Sequence, residues 1–268
     1  MEEPTKNIKL VSNKKSRVIL PNILTLIGVC IGLTSIKFAF DGKFELAVIA
    51  VIIAGVIDGL DGRIARLIKG TSKVGKELDS LTDVISFGVA PAFIMYFWAL
   101  SEIGRLGWLI SLIYVICVAL RLARFNVASG GEPSWKDNYF EGIPSPAGGV
   151  LVLMPLIYSF SEIQFFNPNY KIIVPVLFIV ISILLISKFP TYSFKKIVVP
   201  RSATIFLLLV VVLYFGLLLI YTFNTLIISG FLYLSMIPIS AIHFYKINKN
   251  NKNNKNNIDD IDHHEDVL

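Results

Sequence analysis

Only two of the 268 residues are cysteine, Cys30 and Cys117, and both sit inside apolar runs. Thiols so placed read as small packed side chains, not as a disulfide framework or a metal pair. Histidine is almost as scarce: His243, His263 and His264 all lie far along the chain from its acidic cluster, which sets aside a His-ligated zinc site. The sequence has no G-x-x-x-x-G-K-[ST] loop, no G-x-G-x-x-G strand-turn-helix and no G-x-S-x-G elbow. The net charge of +6 does not point to nucleic acid. The basic residues lie mostly in short loops and at the termini, where they report membrane orientation.

What is present is apolar. With 54% hydrophobic residues and a mean hydropathy of +0.69, the chain is too apolar for a soluble domain of its size. Runs long enough to span a bilayer fall at about 21–40, 44–66, 81–100, 106–125, 147–163, 171–189, 203–221 and 225–245. In lipid each must satisfy its own backbone groups, so each is expected to be a helix. The fold class is therefore all-α, a polytopic membrane bundle of about eight helices. No small-residue cleavage site follows the first run, which is read as retained. Nearly all Lys and Arg fall before 21, in 63–76, 121–141 and 188–201, and after 245. The alternate loops carry only Lys43, Arg105 and Lys171. Eight spans put every basic segment on one side, so both termini are expected to be cytoplasmic.

One stretch stands apart, residues 58–83, DGLDGRIARLIKGTSKVGKELDSLTD. In a helix, Asp58 and Asp61 share a face, about 4.5 Å apart along the axis. Asp79 and Asp83 share a face of the next helix, about 6 Å apart. If the two helices pack, four carboxylates converge at the membrane edge. Divalent cations make such a cluster tolerable, and carboxylate oxygens suit Mg²⁺ or Mn²⁺. Gly62 leaves a gap for close approach of a ligand, Ala65 lies on the face of Asp58, and Arg66 offers a charged fork to phosphate oxygens or serves as an interfacial anchor.

The stretch matches D-x2-D-G-x2-A-R-x8-G-x3-D-x3-D at every fixed position: Asp58, Asp61, Gly62, Ala65, Arg66, Gly75, Asp79 and Asp83. This pattern resembles the signature of the CDP-alcohol phosphotransferase family, and the resemblance covers roughly residues 20–160. It implies transfer of the phosphatidyl group of CDP-diacylglycerol to an alcohol, with release of CMP. It also implies a site with two divalent cations, Mg²⁺ or Mn²⁺, held principally by Asp58, Asp61 and Asp79. Asp83 is then both a ligand and the candidate base, with Gly62, Ala65, Arg66 and Gly75 on the CDP-linked substrate. A homodimer is a further implication. A helix ending Arg121-Leu-Ala-Arg124-Phe-Asn126, followed by Gly142-Ile-Pro-Ser-Pro-Ala-Gly-Gly149, is similar to the phosphatidylserine synthase branch. That branch carries leucine where Ile143 stands here. L-serine is the acceptor so implied.

Other residues keep two readings. Asn22 and Thr25, three apart near the cytoplasmic end of the first helix, either cap and pack it or line the nucleotide pocket. Pro21 suits that helix's first turn. Gly28 and Gly32 read as a close-packing pair. Arg121 and Arg124 share a face, as positive-inside anchors or with one of them receiving the serine carboxylate. The domain reading is a cytoplasmic N-terminal segment at 1–20, part of it (5–19) a surface helix or a plain tail. A six-helix core follows at 21–189, then two added helices at 190–245 without evident chemistry, and a disordered tail at 246–268. The expected location is a prokaryotic cytoplasmic membrane with the site on the cytoplasmic face. Rival readings are another acceptor (glycerol 3-phosphate, inositol phosphate or choline) and, outside enzymes, a cation transporter. A transporter would show acidic residues at mid-membrane in several helices and an internal repeat. Here the acids sit at one edge and no repeat is visible.

Overall fold

The computed structural model describes residues 13–128, 139–164, 167–187, 189–192 and 201–265. Their chain order is α1 (Asn13–Phe40), α2 (Phe44–Leu67), α3 (Lys73–Asp83), a π turn (Val84–Val89), α4 (Ala90–Trp98), a 3₁₀ turn (Leu100–Ile103), α5 (Arg105–Ala128), β1 (Tyr139–Glu141), α6 (Ser145–Phe160), α7 (Tyr170–Ile186), β2 (Pro190–Tyr192), α8 (Arg201–Ile220) and α9 (Thr222–Glu265). α3, the π turn and α4 form one continuous rod, Lys73–Trp98. Among the described residues, eight helical rods thus stand where the sequence leads one to expect eight spans. Four of them are long and apolar enough to cross a membrane by length and composition: Ile19–Phe40, Lys73–Trp98, Arg105–Val127 and Thr222–Phe244. Ser145–Phe160, Tyr170–Ile186 and Thr204–Ile220 are shorter apolar helices. The last part of α2 is given over to Asp58, Asp61, Arg63 and Arg66.

Several boundaries differ from the sequence reading. The first helix does not open at Pro21: α1 begins at Asn13 and carries Pro21 inside it. A proline forfeits one i→i−4 bond, and a polar segment outside the apolar run can satisfy that loss with water, so the helix continues through it. The third rod starts at Lys73, eight residues before the apolar run at 81. Ser72 explains the start: its Oγ accepts from the backbone N–H of Gly75 at 2.9 Å and caps the helix. At the other end of the chain α9 is helical to Glu265, where composition leads one to expect disorder. Its apolar half, Thr222–Phe244, supplies the nucleus, and extending a formed helix is far easier than starting one. β1 and β2 pair antiparallel, Tyr139 with Tyr192 and Glu141 with Pro190. Three-residue strands leave no periodic trace in a sequence. Of the N-terminal segment, residues 1–12 lie outside the described residues, as do 129–138 of the long loop before α6.

The core gathers around the π turn. Phe87 is fully buried there, and its carbonyl accepts a hydrogen bond from the Tyr114 hydroxyl of α5 at 2.7 Å. Small residues let the neighbouring helices close on it. A Cβ added to Gly149 of α6 would stand 3.1 Å from Phe87 Cα, and one added to Gly32 of α1 would stand 2.7 Å from Ser86 Oγ. α1 runs along α2 over most of its length and also meets α3 and α4, while α5 packs on α7 and α9 on α6. Much of the apolar surface is left outside. Along α8, Ile205, Phe206, Leu208, Val212 and Leu213 are all exposed. In water such a face would be a liability; in a bilayer the acyl chains solvate it.

Candidate metal and substrate site

The site is built where α2 leaves the bundle and α3 enters it. A short connection, residues 68–72, turns the chain back and sets the end of α2 beside the start of α3. Asp58, Asp61 and Asp79 offer carboxylate oxygens that all lie within 4.8 Å of one another. Asp58 is also within hydrogen-bonding reach of both Asp79 and Asp83. Asp83 stands outside the tight group of three, one turn further along the rod and at the entrance to the π turn. The four aspartates therefore converge, but as three and one.

Two oxygens in this cluster, Asp61 Oδ1 and Asp83 Oδ1, are buried without a hydrogen-bond partner. Buried carboxylates crowded together and left unpartnered are costly unless a cation meets them. The donor set is all carboxylate oxygen, which fits hard divalent ions and not the softer metals held by thiolate or imidazole. The residues present thus suit a divalent cation.

α1 supplies the opposite wall. The Thr25 hydroxyl is buried, 2.5 Å from Asp61 Oδ2 and 3.0 Å from the Pro21 carbonyl, so it fixes one oxygen of the cluster. Asn22 lies against Gly75: a Cβ there would come within 2.9 Å of Asn22 Oδ1. Gly75 is therefore a point of close helix contact. Gly62 is different, since a Cβ built on it meets nothing within 4 Å. The space beside it is open. Ala65 is half-buried beyond it, while Arg66 is exposed and its Nε donates to the Gly62 carbonyl at 3.0 Å.

The two arginines of α5 go separate ways. Arg124 donates from Nη2 to the Ile186 carbonyl at 2.7 Å, fastening α5 to the end of α7. Arg121 turns inward. It is buried, its Nη1 donates to Ser145 Oγ at 2.6 Å, and its Nε has no partner. Asp83 is among its electrostatic neighbours, yet no carboxylate of the described residues is within ion-pairing distance of it. Ser145 opens α6, where Gly142 at φ +74° turns the chain and Thr191 of β2 donates to the Gly142 carbonyl at 2.7 Å. The small sheet so holds the start of α6 against Arg121.

Sequence reasoning missed Tyr233, on the helix read as having no chemistry. Its hydroxyl is buried without a partner, and Arg121 is its electrostatic neighbour. No sequence signal singles it out, since it is one tyrosine among apolar neighbours; the structure sets it on the stripe that α9 turns toward the bundle, with Leu226, Gly230 and Ile237.

Fold and site together define a polytopic all-α membrane protein with an all-carboxylate candidate cation site at one end of its bundle. The chain belongs to the CDP-alcohol phosphatidyltransferase family, whose model matches residues 18–237. It is 42% identical over 148 residues to a CDP-diacylglycerol–serine O-phosphatidyltransferase of Mycobacterium tuberculosis, a stretch covering 54% of this chain and 51% of that protein. It is 37% identical over 179 residues to the enzyme of the same name from Helicobacter pylori strain 26695, covering 67% of this chain and 74% of the relative. An archaetidylserine synthase of Methanothermobacter thermautotrophicus is 37% identical over 150 residues, 53% of this chain and 60% of that one. The chain thus spans about half the length of the mycobacterial relatives it matches.

Proposed function

We propose that the protein transfers the phosphatidyl group of CDP-diacylglycerol to the hydroxyl of L-serine, giving phosphatidylserine and CMP. The observation that carries this reading is the convergence of Asp58, Asp61 and Asp79 within 4.8 Å, with Asp83 beside Asp58, inside the family's spacing. The choice of serine draws on the names of the relatives and on the buried guanidinium of Arg121, which makes no ion pair among the described residues.

Asp58, Asp61 and Asp79 would hold the metal. Bound divalent ions, Mg²⁺ or Mn²⁺, neutralise diphosphate oxygens and stabilise attacking and leaving oxygens in displacements of this kind. The chain's own residues do the rest. The open space at Gly62 admits the diphosphate, and Asn22 and Thr25 bound it from α1. Arg121 receives the serine carboxylate and orients its hydroxyl toward phosphorus. Asp83 Oδ1, buried and unpartnered, takes the hydroxyl proton as the serine oxygen bonds to phosphorus. The bond from phosphorus to the CMP oxygen breaks, and CMP leaves with that electron pair. A lipid substrate needs its acyl chains in the bilayer and its headgroup in a polar site, and a site at one end of a bundle meets both. The same reading places the protein in a prokaryotic cytoplasmic membrane, its site and termini on the cytoplasmic face, and includes a homodimer. It divides the chain into a six-helix catalytic core, 21–189, and an added pair, 190–245.

The test is acceptor-dependent release of CMP by purified protein in detergent, with CDP-diacylglycerol, Mg²⁺ or Mn²⁺, and each acceptor supplied separately. Serine-dependent release, abolished by EDTA and reduced about 10²–10⁴-fold in Asp83→Asn, is expected. Release with glycerol 3-phosphate but not serine would reassign the acceptor.

A further inference from the structure

α8 and α9 lie beyond the six-helix core, and the proposed reaction has so far used nothing from them. α9 nevertheless turns a defined stripe toward that core. Leu226, Ile227, Ile237, Ser240 and Ala241 are buried, and Gly230 packs so closely on α6 that a Cβ there would stand 2.7 Å from Met154 Sδ. Ser240 donates to the Pro190 carbonyl at 2.9 Å, so its polar group is accounted for. Tyr233 lies on the same stripe, and its hydroxyl has no partner.

A second orphan stands nearby. Arg121 Nε is also buried and unpartnered, and each of the two residues is the other's electrostatic neighbour. Arg121 is 7% exposed and makes no ion pair with any described residue. A buried guanidinium without a direct ion-pair partner is disfavoured. The Nε edge is the side-on face of the guanidinium fork, the edge that meets a carboxylate in a bidentate pair. The Tyr233 hydroxyl, within electrostatic range of it, can donate to the same kind of oxygen. Both unpartnered donors therefore ask for one anionic acceptor atom or group, and Asp83 is close enough to act on Arg121 electrostatically.

We infer that Tyr233 of α9, together with Arg121 and Ser145, forms the wall of the acceptor subsite and binds the acceptor's carboxylate. The last helix is then part of the substrate site and not an appendage to the core. This inference rests on the proposed function, because it takes the acceptor to be an amino acid carrying a hydroxyl.

The experiment compares wild-type protein with Tyr233→Phe and Tyr233→Leu, using CMP release and separate titrations of serine and CDP-diacylglycerol. The KM for serine is expected to rise roughly tenfold in both variants, the cost of one hydrogen bond to a charged group. The KM for CDP-diacylglycerol moves far less. Serinol, which has hydroxyls and an amine but no carboxylate, is a poor acceptor for the wild type, and its rate is expected to be insensitive to either substitution. Equal increases in both KM values would mark Tyr233 as structural and overturn the assignment, as would an unchanged serine KM. Serinol accepted as well as serine by the wild type would overturn it too. Wild-type protein releasing CMP only with glycerol 3-phosphate, or with no acceptor, would remove the parent reading, and the inference with it. A melting curve in detergent guards the comparison, since Phe keeps the packed ring and deletes only the hydroxyl.

Discussion

At the scale of the residue, the site shows how a second ring of side chains fixes a charged cluster. Thr25 touches one oxygen of Asp61 and leaves the other, Oδ1, free. A carboxylate held this way presents its other oxygen in a fixed orientation. Thr25→Val preserves shape and deletes the donor. Loss of such an outer partner typically weakens metal affinity 10–100-fold. Mn²⁺ titration followed by electron paramagnetic resonance should show a weakening of that order in Thr25→Val, with no binding at all in Asp61→Ala. An unaltered titration in the Thr25 variant would mean that the hydroxyl serves only the packing of α1. The aspartates themselves were legible from sequence, because three- and four-residue spacings map directly onto helix faces. Their division into three and one was not, because it depends on how the two helices sit against each other. Tyr233 was illegible for a related reason: one tyrosine among apolar neighbours is ordinary, and only burial of its hydroxyl without a partner sets it apart.

At the scale of the element, the central rod carries the argument. Its two α-helical halves are joined by the π turn at Val84–Val89, and short π segments occur often at functional sites. Gly149 packs closely on the backbone of that turn. The neighbouring atoms are Phe87 Cα, Cβ and O, of which two are backbone and cannot rotate away. Gly149→Ala is therefore expected to destabilise the protein by about 1–3 kcal/mol, the usual cost of overpacking. The check is a lowered melting temperature in detergent; an unchanged one would show that the rod can shift. Composition placed these rods well where they are plainly apolar. It failed at their ends. Ser72 starts α3 eight residues before the apolar run, and α1 passes through Pro21, because a capping hydroxyl and access to water decide those points and hydropathy does not register either.

At the scale of the whole molecule, α1, α2, α3, α5, α6 and α9 all bring residues to one end of the bundle. The other end is held by plainer contacts, such as the Lys171–Glu102 pair at 2.9 Å and the bond from the Glu162 backbone N–H to Asn224 Oδ1 at 3.0 Å. The distribution of Lys and Arg leads one to expect the aspartate end in the cytoplasm. A prediction follows for vesicles of known sidedness, in a background with Cys30→Ser and Cys117→Ser. A cysteine introduced at Lys252 should react with an impermeant maleimide only from the cytoplasmic side, and one at Glu162 only from the opposite side. The reverse pattern would invert the orientation and overturn the proposed placement of the site on the cytoplasmic face.

The π turn has one more consequence. A π segment is an α-helix with a residue added, and each residue turns a helix by about 100°. The rod therefore has two halves set at different angles, like two gears keyed to one shaft with an offset. Below the offset, the gear teeth are Asp79 and Asp83, aimed at α2. Above it are Ala90, Ile94 and Met95, buried in the core. Deleting a single residue between Val84 and Val89 would leave every candidate site residue in the sequence, yet turn one half against the other. Either the carboxylates would turn away from α2 or the apolar teeth would turn away from the core. The register between reaction and anchorage is thus stored in one surplus residue, in a stretch with no charge of its own.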